Sequence, residues 1–493
     1  MIIRKTFLYL FDFVTLVSCT TQKDADMAEK PNLVFVFADQ FRKQSVGFMH
    51  EDSVITPNLD KFAQEGVAFT NAVSTTPICS PFRAMLLTGR FPLSTGITSN
   101  CMPGTDLEMN ADEITIGDIL KESGYSTGYI GKWHLEIPSL NKSKNPPDSV
   151  LDSWDGWTPP GPRRHGFDFW YAYNCNGKHF DPNYWSDRYE RIDIDEWSVT
   201  HETNKAFDFI KNRDKEKPFA LFMSWNPPHD PYIAPVEFKA LYEKKDLSVR
   251  PNVKDNQLFR RRYMPYMAAV SSCDHEFGRL LNFLKEKKLD NNTIVVFTSD
   301  HGEMMGSHGR FAKSVWYEES NGIPFLIRWP GKITPQIEEM PFASYNFMPT
   351  LLGLLNLKRP KPVEGDDYSD LLLGKPQQKA SSAFIAMYGN PGKLLAIGQE
   401  PSIWALEADS IHKAGIDWRK RGYRGVKTDR YTYVVQNEDF QLTRYLYDNQ
   451  EDPYQINPII FKENEIKNKL AMQLETELKN WLKRTNDPFP LTN

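Results

Sequence analysis

Residues 32–38 form a continuous apolar run, rich in β-branched and aromatic side chains, that ends at Asp39-Gln40. Such a run is typical of a strand buried on both faces, as in a parallel sheet covered by helices. The same kind of pattern predicts further buried strands at residues 125–130, 219–225 and 292–298. These four segments predict the centre of one sheet.

Helical patterns alternate with these strands. The Thr56-Pro57 step predicts a helix start, since a capping threonine precedes a proline in the first turn. A long amphipathic helix is predicted over residues 263–287, just before the last of the four strands. Strands alternating with helices indicate a three-layer α/β domain, which we assign to residues 31–375.

The pattern changes towards the C-terminus. Short strands are predicted at residues 426–435 and 445–447, and a final helix at residues 463–482. We therefore predict a smaller α+β subdomain with an antiparallel sheet over residues 376–493. Residues 139–185 are rich in Pro, Asn, Trp and Arg with weak periodicity, and we interpret them as a long functional loop.

All four predicted strands run into residues that suit metal binding or proton transfer. Catalytic groups in α/β sheets collect at the carboxyl ends of the strands. The residues at these ends are Asp39 and Gln40, Lys132 and His134, Asn226 and His229, and Asp300 and His301. The sequence therefore predicts a single catalytic edge of the sheet.

The N-terminus has the form of an export signal. Arg4 and Lys5 precede an apolar run at residues 6–17 that is too short to span a bilayer, and Ser18-Cys19 follows. Residues 16–19 resemble the lipobox of bacterial lipoproteins, in which the cysteine is lipidated. We predict a lipoprotein signal at residues 1–19, a polar tether at residues 20–30 and a membrane anchor on Cys19. A plain secretory signal is the alternative.

This prediction places the protein in a bacterial cell envelope, either in the periplasm or on the outer membrane surface. No later stretch of the sequence is apolar for long enough to span a membrane. The net charge of −5 gives no reason to expect a nucleic-acid partner. Because this overall charge repels anions, local positive groups must bind any anionic substrate.

The five cysteines lack CxxC spacing, which argues against a zinc site or a disulfide framework. Whether two of Cys101, Cys175 and Cys273 pair stays open.

Cys79 opens a pentapeptide of the form C-x-P-x-R, which ends at Arg83. Together with the strand ends, this motif resembles the type I sulfatases of the alkaline phosphatase superfamily, and among them the bacterial carbohydrate sulfatases. The resemblance extends over residues 31–453 and implies an alkaline-phosphatase-like α/β/α sandwich. The segments that carry it are NLVFVFADQ, TPNLDKFAQEGVAFTNAV, CSPFRAMLLTGR, GYSTGYIGKWHL, TSDHGEMMGSHG and YDNQEDP.

In that family a separate maturation enzyme oxidises the motif cysteine to formylglycine, whose aldehyde is hydrated to a geminal diol. A thiolate attacking sulfur would leave an adduct that water must displace. One hydroxyl of a diol can attack, and the other can then expel sulfate as the aldehyde re-forms. The resemblance implies this role for Cys79, and with it a maturation enzyme as a partner.

The resemblance also implies one divalent metal ion, held by Asp39, Gln40, Asp300, His301 and the modified Cys79. Many members of the family carry a second aspartate at the position of Gln40 and an asparagine at that of His301. Oxygen ligands favour calcium, whereas an imidazole leans towards manganese or another transition ion. We expect calcium, with manganese as the alternative. His301 could instead contact the sulfate.

Five further residues match the remaining catalytic positions of the family. Arg83 is expected to hold the diol oxygens, Lys132 to stabilise the diol or the sulfate, and His134 to deprotonate the diol. His229 is expected to protonate the departing sugar oxygen and Lys313 to bind sulfate oxygens.

The sequence gives weaker signals for the substrate. Residues of the long loop supply charged, amide and aromatic groups suited to hydroxylated anionic sugars, and His308 is a further candidate. The loop candidates are Arg163, Arg164, His165, Asn174, Asn176, His179 and Trp185. We expect a sulfated glycan as the substrate, with an O-sulfate on galactose or N-acetylgalactosamine as the preferred case.

Two alternatives remain. Phosphonate monoester hydrolases and phosphodiesterases of this superfamily share the formylglycine motif, and they too carry Asp-Gln and Asp-His pairs like those at Gln40 and His301. The second alternative is a surface lipoprotein that binds sulfated glycans without turnover, its Cys79 never modified. The sequence does not give the sulfated position, exo or endo action, or the oligomeric state.

Overall fold

The computed structural model describes residues 30–102, 105–137, 154–245, 247–389, 410, 413–438, 441–461 and 468–492. The predicted signal, the lipidation site Cys19 and the tether up to residue 29 lie outside these residues. Residues Pro31–Asn493 form one compact unit. The predicted division of this unit after residue 375 stays a prediction.

The strands of the described chain belong to three sheets. In chain order they are β1 Asn32–Asp39, β2 Val67–Val73, β3 Ser126–Lys132, β4 Phe169–Tyr173, β5 Asn183–Tyr184, β6 Ile192–Asp193, β7 Phe219–Pro228, β8 Thr293–Ser299, β9 Gly322–Arg328, β10 Gln336–Glu338, β11 Phe342–Ala343, β12 Ala383–Met387, β13 Gly422–Lys427, β14 Tyr431–Glu438, β15 Gln441–Asp448 and β16 Ile459–Phe461.

The α-helices lie mostly between these strands. In chain order they are α1 Pro57–Glu65, α2 Cys79–Thr88, α3 Pro92–Thr95, α4 Ile116–Glu122, α5 Ser198–Asn212, α6 Val236–Ala240, α7 Gln257–Glu286, α8 Glu318–Asn321, α9 Phe347–Leu354, α10 Ser369–Leu372 and α11 Lys469–Arg484. In the described part of the chain, no helix is both long and apolar enough to cross a bilayer.

The large sheet has the order β10-β2-β9-β8-β1-β7-β3-β4, with β11 also paired to β2. Strands β8, β1, β7, β3 and β4 are mutually parallel, whereas β9 runs antiparallel to both of its neighbours. The four strands predicted from the apolar pattern are therefore adjacent. Their confirmed adjacency brings their carboxyl ends to one edge of the sheet.

The central strand β1 separates two hydrophobic cores. Leu33, Phe35 and Phe37 pack into one core together with α2, α4 and α9. Val34 and Val36 point the other way, into a core built with α1, α5 and α7. Because successive side chains of a strand point to opposite faces, this alternation demonstrates helices on both faces. The predicted three-layer α/β architecture is confirmed.

The predicted antiparallel C-terminal sheet is also present, with the order β12-β13-β14-β15-β16. Residues of α11, among them Leu474, Leu478 and Trp481, share its hydrophobic core. One prediction here is wrong. Residues 426–435 are not one strand but the facing ends of β13 and β14, in which Lys427 pairs with Thr432. The turn between them is closed by the Thr428 amide, which donates to the Tyr431 carbonyl at 2.8 Å.

The interpretation of residues 139–185 as one loop is also wrong in its described part. It contains β4, which extends the large sheet beside β3, and β5. Strand β4 escaped prediction because its sequence, Phe-Trp-Tyr-Ala-Tyr, is an aromatic run inside an otherwise polar segment. Cys101, Cys175 and Cys273 are free thiols.

Candidate active site

The site begins at the carboxyl ends of β1, β3, β7 and β8. Asp39 is the last residue of β1, Lys132 the last of β3, and Asp300 directly follows β8. The pairing of Ala38 with Ser299 and of Gly131 with Ser224 keeps these ends level. Each polar side chain is therefore fixed by the sheet that carries it.

Helix α2 brings Cys79 and Arg83 to this edge. Cys79 is its first residue, and Arg83 lies one turn later on the same face. Pro81 fits because the first turn of a helix needs no donor at that position. Burial raises the pKa of the Cys79 thiol to about 12, with a further contribution from Asp39. The unmodified thiol is therefore protonated at neutral pH and is a weak nucleophile.

The Arg83 guanidinium holds the site together. Its Nη2 donates to Asp39 at 3.1 Å and to Asp300 at 3.2 Å. Its Nη1 donates at 2.6 Å to the Lys132 carbonyl and to the Ser224 hydroxyl. Only Nε has no hydrogen-bond partner among the described residues. Arg83 therefore binds both carboxylates and keeps one donor for another group.

Lys132 lies between the carboxylate of β1 and the end of β7. Its Nζ donates to Asp39 Oδ2 at 2.7 Å and to Asn226 Oδ1 at 3.4 Å, and lies 4.0 Å from Cys79 Sγ. Burial opposes ionisation of Asp39, but Lys132, together with other positive groups, holds the pKa of that carboxyl well below its usual value. The ion pair therefore stays charged over the working pH range.

Four buried side chains could hold a cation. Single donor atoms of Asp39, Cys79, Asp300 and His301 all lie within 4.8 Å of one another. His301 Nδ1 donates to the Gly302 carbonyl at 3.0 Å, which leaves Nε2 as a lone-pair donor. That Nε2 lies 3.4 Å from Asp39 and 3.5 Å from Asp300. Burial, and then the nearby Asp39, raise the pKa of Asp300 to about 7, because one carboxylate disfavours ionisation of another at short range. The donor set fits a divalent metal.

Gln40 lies beside these four but faces a different partner. Its Nε2 donates to Glu303 at 2.6 Å and to the Tyr232 hydroxyl at 3.3 Å, which identifies Oε1 as the acceptor end. Lys313 Nζ donates to that Oε1 at 2.6 Å and to His229 Nε2 at 2.9 Å. A chain of hydrogen bonds thus runs from Glu303 through Gln40 and Lys313 to His229.

His229 is a neutral imidazole in this arrangement. Its Nδ1 donates to the Asp230 carbonyl at 2.8 Å, so its Nε2 accepts from Lys313. Burial, followed by the Lys313 ammonium, lowers the pKa of His229 to about 3. The ring can therefore donate a proton only when the effect of Lys313 is offset.

His134 is buried with both ring nitrogens lacking a partner in the described part of the structure. It has a φ of 53°, a conformation held by two backbone contacts. Its amide donates to the Asn174 carbonyl at 2.8 Å, and Ser80 Oγ donates to its carbonyl at 2.6 Å. A buried ring without partners is poised for a group that these residues do not supply.

The loop residues predicted to bind substrate are mostly engaged in holding the loop. Arg163 donates twice to Glu108 at 2.9 Å, and Arg164 donates to the Thr158 and Ser186 carbonyls and to Asp187. Five of the other six candidates also contact neighbouring residues of the chain. His165 Nδ1 contacts the Glu113 carbonyl, Asn174 donates to the Glu136 and Trp154 carbonyls, Asn176 donates to Asp155, Trp185 pairs with Ala172, and His308 stacks on Tyr317.

Three of these loop residues do reach the catalytic edge, since the Asn174 carbonyl accepts from the His134 amide at 2.8 Å. His179 Nε2 donates to the His229 carbonyl at 2.8 Å, and the Asn176 carbonyl accepts from Asn226 at 2.7 Å. The structure thus brings together Cys79, Arg83, Lys132, His134, His229, Lys313, Asp39, Gln40, Asp300 and His301. Among the described residues, this group makes no hydrogen bond or ion pair with Arg163, Arg164, Trp185 or His308. Their substrate roles stay predictions.

Sequence reasoning did not assign Glu303, Tyr232 or Ser224 to the site. Glu303 could have been found, since it follows Asp300-His301 by only three residues of the same motif. Tyr232 and Ser224 gave no signal, because an isolated hydroxyl in a loop or strand is usually structural. The sequence marks Asn226 only as part of a strand end.

The sulfatase family model matches residues 31–357. The endo-4-O-sulfatase of Bacteroides thetaiotaomicron is 35% identical, over 94% of this chain and 94% of that protein. The ulvan-active sulfatase of Formosa agariphila is 33% identical, over 96% of this chain and 89% of that protein. A solved structure concerned with glycosaminoglycan metabolism by Bacteroides thetaiotaomicron is 34% identical, with a TM-score of 0.84, over 93% of this chain and 97% of that one.

Proposed function

Because the chain belongs to the sulfatase family, a family of sulfuric ester hydrolases, we propose that it removes sulfate from glycans at the site built around Cys79. The observation that carries the proposal is the convergence of Cys79, a donor set for a cation, and two lysines with a histidine at one sheet edge. The similarity to an endo-4-O-sulfatase and an ulvan-active sulfatase supports a carbohydrate substrate. A galactose-type sugar stays a prediction.

We propose formylglycine at position 79, formed by a maturation enzyme. The protonated state of the unmodified thiol supports this, since a buried thiol with a pKa of about 12 would not attack a sulfate ester. When hydrated, formylglycine supplies one hydroxyl for attack and a second through which sulfate is released. Arg83 Nε, which lacks a partner among the described groups, is the donor available to orient that residue.

We propose that Asp39, Asp300, His301 and residue 79 hold one divalent cation, with Gln40 Oε1 as a further candidate ligand. The cation would be calcium, because most of the donors are hard oxygens; manganese is the alternative, because His301 supplies nitrogen. When bound, such an ion stabilises negative charge on sulfate oxygens. Lys132 and Arg83 keep Asp39 ionised, and Arg83 binds and orients both carboxylates.

We assign proton transfer to the imidazoles of His229 and His134. In this proposal His229 protonates the sugar oxygen that leaves, and Lys313, which contacts His229, binds a sulfate oxygen. His134, whose ring nitrogens are free in the described structure, takes the proton during sulfate release. Lys132, which lies 4.0 Å from Cys79 Sγ, stabilises charge on the attacking oxygen.

The experiment that tests this function is mass spectrometry of the peptide spanning Cys79, isolated from a host with the maturation enzyme. The peptide is expected to carry formylglycine, and Cys79→Ala is expected to abolish release of sulfate while the protein remains folded. An intact thiol in protein that is fully active would rule out the proposed nucleophile.

Gln40 and His301 favour one second candidate, a phosphodiesterase or phosphonate monoester hydrolase, because those enzymes carry the same metal pairs. Turnover of a panel of sulfated sugars is to be compared with that of phosphodiesters and phosphonate monoesters. Higher kcat/KM for sulfated sugars is expected. Faster hydrolysis of the phosphorus esters across the panel would reverse the assignment.

The lipid anchor is a separate proposal. It rests on the sequence around Cys19 and on the apolar run before it. Wild-type protein expressed in bacteria is expected to fractionate with membranes, and Cys19→Ala to release it. Equal amounts of both proteins in the soluble fraction would favour a plain secretory signal.

A further inference from the structure

The carboxylate of Asp155 contacts Asn174 and Asn176, two residues that reach the catalytic edge. It is 1% exposed. Four donors converge on it: its Oδ1 accepts from the amides of Gly156 and Asn174, both at 2.8 Å. Its Oδ2 accepts from Asn176 at 2.9 Å and Asn183 at 2.8 Å. A carboxylate fits because four donors need an acceptor without hydrogens of its own.

One branch of this network reaches the catalytic lysine. Asn176, fixed through its side chain by Asp155, offers its backbone carbonyl to Asn226 Nδ2 at 2.7 Å. That bond determines the orientation of the Asn226 amide, so its Oδ1 must face Lys132 Nζ, 3.4 Å away. Lys132 Nζ in turn donates to Asp39.

A second branch reaches His134. The Asn174 amide donates to Asp155, and the Asn174 carbonyl accepts from the His134 amide at 2.8 Å. His134 has a φ of 53°, a conformation that a residue with a side chain rarely keeps without support. Both branches start at the same carboxylate and end at residues of the proposed mechanism.

We propose that Asp155 is a positioning residue of the sulfatase site, which sets the places of Lys132 and His134 through Asn176 and Asn174. This inference rests on the proposed function, in which Lys132 and His134 have catalytic roles. It also gives Asn176 a different role from sugar binding. The side chain of Asn176 serves Asp155, and only its backbone faces the site.

The test compares Asp155→Asn and Asn176→Ala with a matched control, Asn183→Ala. Asn183 donates to the same Oδ2 but is not part of either branch. Asp155→Asn places an amide group against two amide donors, and Asn176→Ala removes one donor without changing the backbone. Both variants are expected to lower kcat by about 10- to 100-fold, as loss of supporting hydrogen bonds does elsewhere, with KM within about twofold.

The substrate dependence separates positioning from other roles. The loss in kcat is expected to be equal for an activated aryl sulfate and a sulfated sugar, because Lys132 and His134 do not protonate the leaving group. The double variant Asp155→Asn/Asn176→Ala is expected to have a kcat no lower than that of Asp155→Asn alone. Both changes break the same branch, which runs through Asn176 to Lys132. Asn183→Ala is expected to keep kcat within about twofold of wild type. A raised KM with unchanged kcat in Asn176→Ala would overturn the proposal in favour of sugar binding.

A structural measurement keeps the inference independent of turnover. Crystal structures of Asp155→Asn and Asn176→Ala are expected to show Lys132 displaced from Asn226, or His134 moved. Unchanged positions of both would overturn the inference even in an active enzyme. If Asp155→Asn does not fold, Asn176→Ala carries the test. If the wild-type protein has no sulfatase activity, the proposed function is refuted. The crystal structures of the variants then still show whether Asp155 positions Lys132 and His134.

Discussion

Replacing Lys313 with methionine tests the electrostatic coupling that controls the proposed acid. Lys313 Nζ lies 2.9 Å from His229 Nε2, and after burial its ammonium is the largest cause of the low pKa of that imidazole. Lys313→Met keeps most of the apolar stem but removes the charge and the donor. The pKa of His229 is therefore expected to rise from its value of about 3.

The distance sets the size of the effect. Two unit charges 2.9 Å apart repel by about 1.4 kcal/mol in a water-like dielectric and by about 6 kcal/mol at an effective dielectric constant of about 20. Since about 1.4 kcal/mol corresponds to one pH unit, removing Lys313 is expected to raise the pKa of His229 by about 1 to about 4. Burial remains, so the rise is expected to fall short of the upper figure and the pKa of His229 to stay below the value of 6.5 for a free histidine.

NMR titration of the histidine ring resonances measures this pKa. The measurement is made in a Cys79→Ala background, which removes heterogeneity of the modified residue, and His229→Ala assigns the signal. Lys375→Met, which removes an exposed lysine paired with Asp370, is the matched control. A rise of less than about 0.5 in Lys313→Met would refute the coupling. Saturating inorganic sulfate is expected to raise the pKa of His229 in protein that retains Lys313, because the anion offsets the ammonium.

Three further outcomes are expected. His229→Ala is expected to lower kcat/KM by about 10²- to 10⁴-fold on sulfated sugars but by much less on activated aryl sulfates, and equal losses would remove His229 from the acid role. Asp274→Ala is expected to lower the free energy of unfolding in urea by about 2 to 4 kcal/mol, because the Asn58 and Leu59 amides of α1 lose their buried acceptor; an unchanged midpoint would contradict this. Burial opposes ionisation of Glu318, but Lys427 and Lys43 lower its pKa to about 2, below the value of 4.5 for a free glutamate. The contribution of ionised Glu318 to the free energy of unfolding is therefore complete above pH 4.5 and is lost as the pH falls towards 2. Unfolding curves of Glu318→Gln are expected not to show this decrease in stability at low pH.

The parts of the fold that follow from the sequence are those fixed by local patterns. The strands β1 and β8 could be predicted because their apolar runs are buried on both faces and so lack polar alternation. Their polar ends could be predicted as one site because parallel strands align their carboxyl ends. The order of the strands depends on contacts distant in sequence and needed the structure.

The parts that did not follow depend on tertiary contacts. The antiparallel course of β9 between β8 and β2 leaves no trace in its own composition. The predicted strand at residues 426–435 failed because Thr428 forms the turn through its backbone, within a run of strand-forming residues. Arg164 is predicted to bind substrate, but Thr158, Ser186 and Asp187 accept hydrogen bonds from its guanidinium. Composition cannot distinguish an arginine that binds a substrate from one that binds neighbouring residues of its own chain.

The choice between sulfate and phosphodiester esters cannot rest on the charge of the site. Gln40 is neutral, and burial and then Lys313 lower the pKa of His301 well below its usual value, so that it too is neutral. Asp39 and Asp300 thus face three cationic side chains, Arg83, Lys132 and Lys313.

A sulfate monoester and a phosphodiester each carry one negative charge, so selectivity must come from the number of terminal oxygens, three in the sulfate ester and two in the diester. Lys313→Met removes a donor that a third oxygen can use. The ratio of kcat/KM for a sulfate ester to that for a diester of the same alcohol is therefore expected to fall by about tenfold, the value of one charged hydrogen bond. An unchanged ratio would mean that Lys313 does not contribute to the choice of ester.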